Sequence, residues 1–141
     1  AYGDALGAIE TGVVIGQNNS ASNIANSVFG GLSKGTTRSG ALFGYNAGTP
    51  STSNIYYWDG NKQEKIVGQG ALGNYSTYFK FGYTENVATL SDSPSDALVD
   101  VLNASSSNVW TSAKCKLASG PNTEEEYTIP IIKGLTFAHC K

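Results

Sequence analysis

Apolar residues in the first part of the chain recur at helical spacing. Leu6, Ile9 and Val13 follow i, i+3, i+7 and are flanked by Ala5, Ala8 and Gly12, which predicts a helix with a small apolar flank. Asp4 and Glu10 fall early in it, where carboxylates complement the helix dipole. A second pattern joins Ala21, Ile24, Val28 and Leu32, with Asn19 or Ser20 as N-cap and Gly30-Gly31 near its end. Together they predict a helical spine over residues 1–32. Gly3, Gly7 and Gly12 oppose it, each costing about 1 kcal/mol relative to alanine. Such a helix needs close packing of its small face or a longer helix upstream. A strand over residues 8–15 is the alternative.

Beyond residue 34 the pattern changes. Residues 35–53, rich in Gly, Thr and Ser, read as a long connection pinned to the core by Ala41, Leu42, Phe43 and Tyr45. Residues 55–58 form a strand ending in the turn pair Asp59-Gly60, and residues 62–67 pair back as a hairpin. Tyr75, Thr77, Phe79, Phe81 and Tyr83 alternate with Ser76, Tyr78, Lys80 and Gly82, a strand with one aromatic core face. Val87–Leu90 is a further short strand. Ser93 as cap, Pro94 at the first helical position and Asp96 in the first turn open a helix whose apolar edge is Leu98, Val101 and Leu102. In residues 109–117, Val109, Thr111, Ala113 and Cys115 alternate with Trp110, Ser112, Lys114 and Lys116. Pro130 marks residues 127–132 as an edge strand or a bulge. The expected fold is α+β: one domain over residues 1–141, with an N-terminal helix packed against an antiparallel β-sheet.

Charge and composition narrow the partners. The 141 residues carry a net charge of −2 and no basic patch, which argues against nucleic acid. Abundant Gly, Ser, Thr, Asn and Tyr suit an extracellular surface protein. No Met is present, so Ala1 is read as a processed or trimmed start, and any membrane anchor belongs upstream. Cys115 and Cys140 predict one disulfide and an oxidising compartment. The bridge would close about 25 residues, worth about 3 kcal/mol. Two buried free thiols are the alternative. A zinc site lacks ligands, since His139 is the one histidine and adjoins Cys140.

No constellation for catalysis stands out, so the chain reads as a non-enzyme without cofactor or metal. A nucleophile–base pair would have to use His139, beside a cysteine expected to be oxidised. Gly68, Gly70 and Gly73 spell G-x-G-x-x-G but lead into a strand rather than a helix. Asp92, Asp96 and Asp100 read as one solvated edge of a helix. Glu124, Glu125 and Glu126 read as a solvated loop. Tyr56, Tyr57, Trp58, Tyr75, Tyr78 and Trp110 are candidates for a surface that stacks on sugars or a partner protein, and are equally ordinary strand residues.

The small-residue-rich start (Ala-Tyr-Gly-Asp-Ala-Leu-Gly-Ala-Ile), the polar connection, the sheet and the cysteine-bounded end beginning at Trp110-Thr-Ser-Ala-Lys-Cys115 resemble the globular part of a bacterial type IV pilin, particularly of the MSHA-like kind. The resemblance implies a soluble portion lacking the apolar half of the pilin helix, with residues 1–17 as the spine and Cys115–Cys140 as the structural disulfide. The implied function is a subunit of an extracellular pilus for attachment or motility. Its partners would be other pilin subunits, together with surfaces or glycans, and it would meet membrane only through the upstream segment. A secreted carbohydrate-binding or adhesin β-sandwich is the alternative. That alternative expects strand at residues 1–15 and aromatics clustered on one exposed face.

Overall fold

The computed structural model describes residues 2, 5–60, 65–71, 75–118 and 122–140. The described residues are mostly strand, with one short α-helix among them. The expected α+β fold, a helical spine over residues 1–32 packed on an antiparallel sheet, is therefore corrected: the N-terminal part is itself made of strands. The strands are β1 (Ala5–Leu6), β2 (Glu10–Gly12), β3 (Ile15–Asn18), β4 (Ser22–Phe29), β5 (Ser33–Lys34), β6 (Arg38–Gly40), β7 (Phe43–Asn46), β8 (Pro50–Trp58) and β9 (Val67–Gly70). The residues read as a loose connection over 35–53 therefore also lie largely in strands. Residues 62–64, half of the expected hairpin, fall outside the described residues, as do Gly3 and Asp4 of the expected first helix.

All pairings among these strands are parallel. Ala5 lies beside Ser33, Glu10 beside Arg38, Ile15 beside Phe43 and Ser22 beside Pro50. Each partner is 28 residues further along, as are Asn18 and Asn46. The chain thus winds into a coil that repeats at that interval. A shorter third pass sets β9 beside β7, and the strand after it beside β8. The repeat is visible in the letters: Gly7 and Gly35, Gly12 and Gly40, Gly16 and Gly44, Asn18 and Asn46, Asn26 and Asn54 recur in phase.

This repeat explains why the helical spacing misleads. Gly44 lies where a β-carbon would overlap the backbone of Glu10, Thr11 and Gly16 in the preceding coil. Asn26 and Asn54 turn corners at φ 47° and 52°, a left-handed conformation that asparagine tolerates better than most residues. Stacked partners override the weak local preference of a glycine-rich helix.

The second half is mainly antiparallel. It comprises β10 (Tyr78–Thr84), β11 (Val87–Leu90), β12 (Ser93–Ala97), the helix α1 (Leu98–Ser105), β13 (Trp110–Lys116) and β14 (Glu126–Ile132). Within it β14 is set parallel to β11, and the other pairings are antiparallel. A 3-10 turn over Tyr75–Thr77 leads into β10. Among the described residues, one curled sheet joins both halves in the order β13-β14-β11-β10-β8-β4, with β12 pairing on β11. The one α-helix among them is therefore short and internal. Ser93 and Pro94 lie in β12 rather than capping it, and α1 begins after Ala97 with no side-chain cap. The ladder partners Leu90↔Ser93 and Thr89↔Ala97 hold the Ser93 segment extended, which outcompetes the local cap signal.

Two of the three cores share one wall, the third being Cys115, Leu117, Tyr127 and Ile129. Ile55 and Tyr57 of β8 point into the coil with Phe29, Leu42, Phe43, Val67 and Tyr78. Tyr56 and Trp58 point the other way, with Val28, Phe81, Leu98, Leu102 and Trp110. A wall buried on both faces needs an uninterrupted apolar run, and Ile55-Tyr56-Tyr57-Trp58 supplies one. In β10, Phe81 is fully buried whereas Phe79, on the same face, is 39% exposed at the sheet margin, where it stacks on Tyr56 at 5.4 Å.

Candidate functional site

The curled sheet ends in β4 on one side and in β13 with β14 on the other, and a cleft of about 460 Å³ lies between them. Its walls are mainly apolar: Val28 and Phe29 from β4, Ile129 and Ile131 from β14, Leu117 after β13, and Phe137 near the C-terminus.

Tyr2 spans this space. Its hydroxyl donates to the Pro130 carbonyl at 2.8 Å, and its ring fills the position a β-carbon on Gly30 would occupy. Burial, and then the neighbouring Tyr83, raise the Tyr2 pKa well above the usual tyrosine value. Tyr83 is raised too, first by burial, then by Tyr127 and Asp59; its ring lies 4.8 Å from that of Tyr127. Pro130 is paired with Ser112 of β13. β14 meets β11 through the single pair Val87↔Thr128, so Pro130 lies beyond that bridge, where a missing N–H costs no ladder bond.

Cys115 and Cys140 are joined as a disulfide. Cys115 is buried, and the Lys116 N–H donates to the His139 carbonyl at 3.0 Å. The bridge and this bond fasten the C-terminal segment along the end of β13. His139 is exposed and lines the cleft with Lys116.

The other residues singled out from the sequence scatter. Tyr56, Tyr57, Trp58, Tyr78 and Trp110 are buried in the two cores rather than gathered on an exposed face. The side chain of Tyr75 lies outside the described residues. Trp110 also lines the cleft, and its buried indole N–H has no hydrogen-bond partner. Gly68 and Gly70 belong to β9, while Gly73 lies outside the described residues. Asp96 is in β12 and Asp100 in α1, so the three aspartates share no helix edge. Glu124 and Glu125 are exposed, and Glu125 accepts bonds from Asn122 and Asn86 at 2.9 and 3.1 Å. Glu126, read as part of that solvated loop, is half-buried and opens β14.

Among the described residues no group of His, Cys, Asp and Glu is arranged to hold a metal ion, and no helix is long and apolar enough to cross a membrane. The parts of the cleft that sequence reasoning missed are Tyr2, Leu117 and Phe137. Leu117 ends the alternating run over residues 109–117, but nothing in that run marks it as part of a cleft, because the cleft exists only where distant strand ends meet. Compared with known proteins, the chain matches no family model, no curated protein and no solved structure.

Proposed function

We propose that this chain is a structural module of an extracellular, adhesin-like surface protein, and that its parallel coil is the part on which further coils stack. The observation that carries the reading is the contrast between successive coils. Leu42 and Phe43 in the second coil are fully buried. Val14 and Ile15, at the equivalent places in the first coil, are 41% exposed and half-buried respectively. Among the described residues β2 and β3 each pair on one side only. A strand edge with apolar neighbours is a ready template for another strand. The disulfide and the polar, Gly- and Ser-rich composition support an extracellular setting.

The pilus-subunit reading implied by the resemblance belongs to the same broad class, but it assigned assembly to a helix. Strand edges occupy that place here. The sugar-stacking form of the alternative is not supported, because Tyr56, Tyr57, Trp58, Tyr78 and Trp110 are buried.

The test is to insert a second copy of residues 5–32 ahead of residue 5, so that an added coil can stack on the first. The expected result is a higher melting temperature with a proportionate gain in β-sheet circular dichroism signal. An added segment that stays unstructured and leaves the melting temperature unchanged would sink the stacking reading.

A further inference from the structure

The cleft between β4 and the disulfide-bounded end has a composition that selects a ligand. Its walls are apolar, and no Asp or Glu lines it, whereas Lys116 and His139 do. Both are exposed at its rim, while Cys115, Ile129 and Val28 are buried. Trp110 and Lys116, the two ends of β13, both line it. That strand has 7 residues and so spans roughly 20 Å. The volume of about 460 Å³ falls within the range of roughly 300–1,000 Å³ usual for small-molecule sites. Phe137 and Leu135 add to the argument. They are 47% and 53% exposed on a segment that the disulfide holds beside the cleft, and Phe137 lines it. These features suit an elongated apolar body with one negative end.

We propose that this cleft binds a linear alkyl carboxylate, its chain along Val28, Ile129 and Ile131 and its carboxylate at Lys116 and His139. A charged head kept at the rim avoids the cost of burying an unpaired ion, while the chain gains from removing apolar surface from water. The Lys116 ammonium at the rim gives the sign preference, because it would repel a cationic head. The inference does not rest on coil stacking: β4 belongs to both the cleft and the coil, but the binding experiment uses the chain with no added coil, so either reading can fail without the other.

The experiment titrates the disulfide-intact protein with dodecanoate, followed by calorimetry and tryptophan fluorescence. Dodecyltrimethylammonium and dodecyl maltoside serve as matched cationic and neutral probes. One dodecanoate per chain is expected, with the cationic probe bound at least about tenfold more weakly. Lys116→Glu, at an exposed position, should weaken dodecanoate by about tenfold and leave the maltoside unchanged. Ser27→Trp, which fills the cleft from β4, should abolish binding of all three. Equal affinity for the three probes, wild-type binding by both variants, or no binding at all would overturn the proposal. So would a wild-type dimer seen by light scattering that Ser27→Trp dissociates, since the cleft would then be the seat of a second copy. Circular dichroism checks the fold of Ser27→Trp, and the exposed Lys116→Glu keeps the outcome decisive if that variant unfolds.

Discussion

The two halves of this molecule solve the same problem by opposite means. In the coil, each strand is held by the segment one repeat away, and at Gly12–Gly40 and Asn18–Asn46 identical residues meet. Asn18 donates to the Asn46 side chain at 2.7 Å, and Asn46 donates in turn to the Ala71 carbonyl at 2.5 Å. Asn54 donates to Asn26 at 2.9 Å at the outer corner. Arg38 pairs with Glu10 across the same interval and lies over the Tyr45 ring, 4.5 Å from its centre. In the antiparallel half the contacts are between unlike residues. Trp110 packs with Leu98 and Leu102 of α1, and a covalent bridge secures the end. The difference teaches where each half is vulnerable. A coil with backbone packed into its interior has no slack for a larger residue at its glycines. The antiparallel half has space to spare at its seam and relies on staples.

The sharpest way to break this comparison is at Gly44. Its replacement by alanine should destabilise the protein by about 3 kcal/mol, because backbone on the neighbouring coil occupies the space. Gly82→Ala in β10 faces only the Asp59 side chain, 3.1 Å from the added carbon, and should cost far less. Urea unfolding of the two variants measures the gap; equal losses would mean that the coil interior can adapt.

Removing the disulfide by Cys115→Ser with Cys140→Ser should cost about 3 kcal/mol by the chain-entropy account. The loss should fall on the antiparallel half. Native-state hydrogen exchange would show faster exchange in β13 and β14 and little change in β7. Uniform acceleration across both halves would show that they unfold as one unit.

Asn46→Ala removes the link between Asn18 and the Ala71 carbonyl and leaves the buried Asn18 side chain unmet, which should cost about 2 kcal/mol. Asn54→Ala, at a half-buried corner with φ 52°, should cost about 1 kcal/mol, and Asn54→Gly should restore most of it. Melting curves on the three variants rank inner against outer asparagines.

The smallest effect is expected at the seam. Tyr2→Phe loses one hydrogen bond to Pro130, worth about 1 kcal/mol. The raised Tyr2 and Tyr83 values make stability fall at high pH. Below the unfolded tyrosine value of about 10 both states keep the proton, so the stabilisation is fully present there. Above it the unfolded state releases protons that the native state retains, so stability drops as pH rises. Unfolding between about pH 9 and 11 should therefore show a shallower alkaline decline in Tyr2→Phe than in the wild type.

Much of the antiparallel half was legible from the residues. The run expected as a strand over residues 75–83 is a strand only from Tyr78. Its first three residues form a 3-10 turn, and Tyr78 is buried on the face expected to be wetter. The alternation in Trp110–Lys116 lies in a strand, because a strand half-exposed to water must alternate. The cysteine pair was legible as well. The coil was not, although its repeat of glycines and asparagines was on view. Leu6, Ile9 and Val13 satisfy helical spacing by coincidence, and Leu6 and Ile9 are in fact largely exposed. Periodicity within one segment carries no information about a partner 28 residues away, and that partner is what holds these strands.

The sequence by itself determined the local permissions: which positions lack a side chain, which turn with asparagine, which run is apolar on both sides, and which two sulfurs are available. Only the tertiary structure decided how those permissions were used. It brought β4 opposite β14, placed Tyr2 between them and left the cleft beside it. The physical reason is that a cleft is made of surfaces far apart in the chain. Its shape follows from the curl of the shared sheet, which no local pattern of residues encodes.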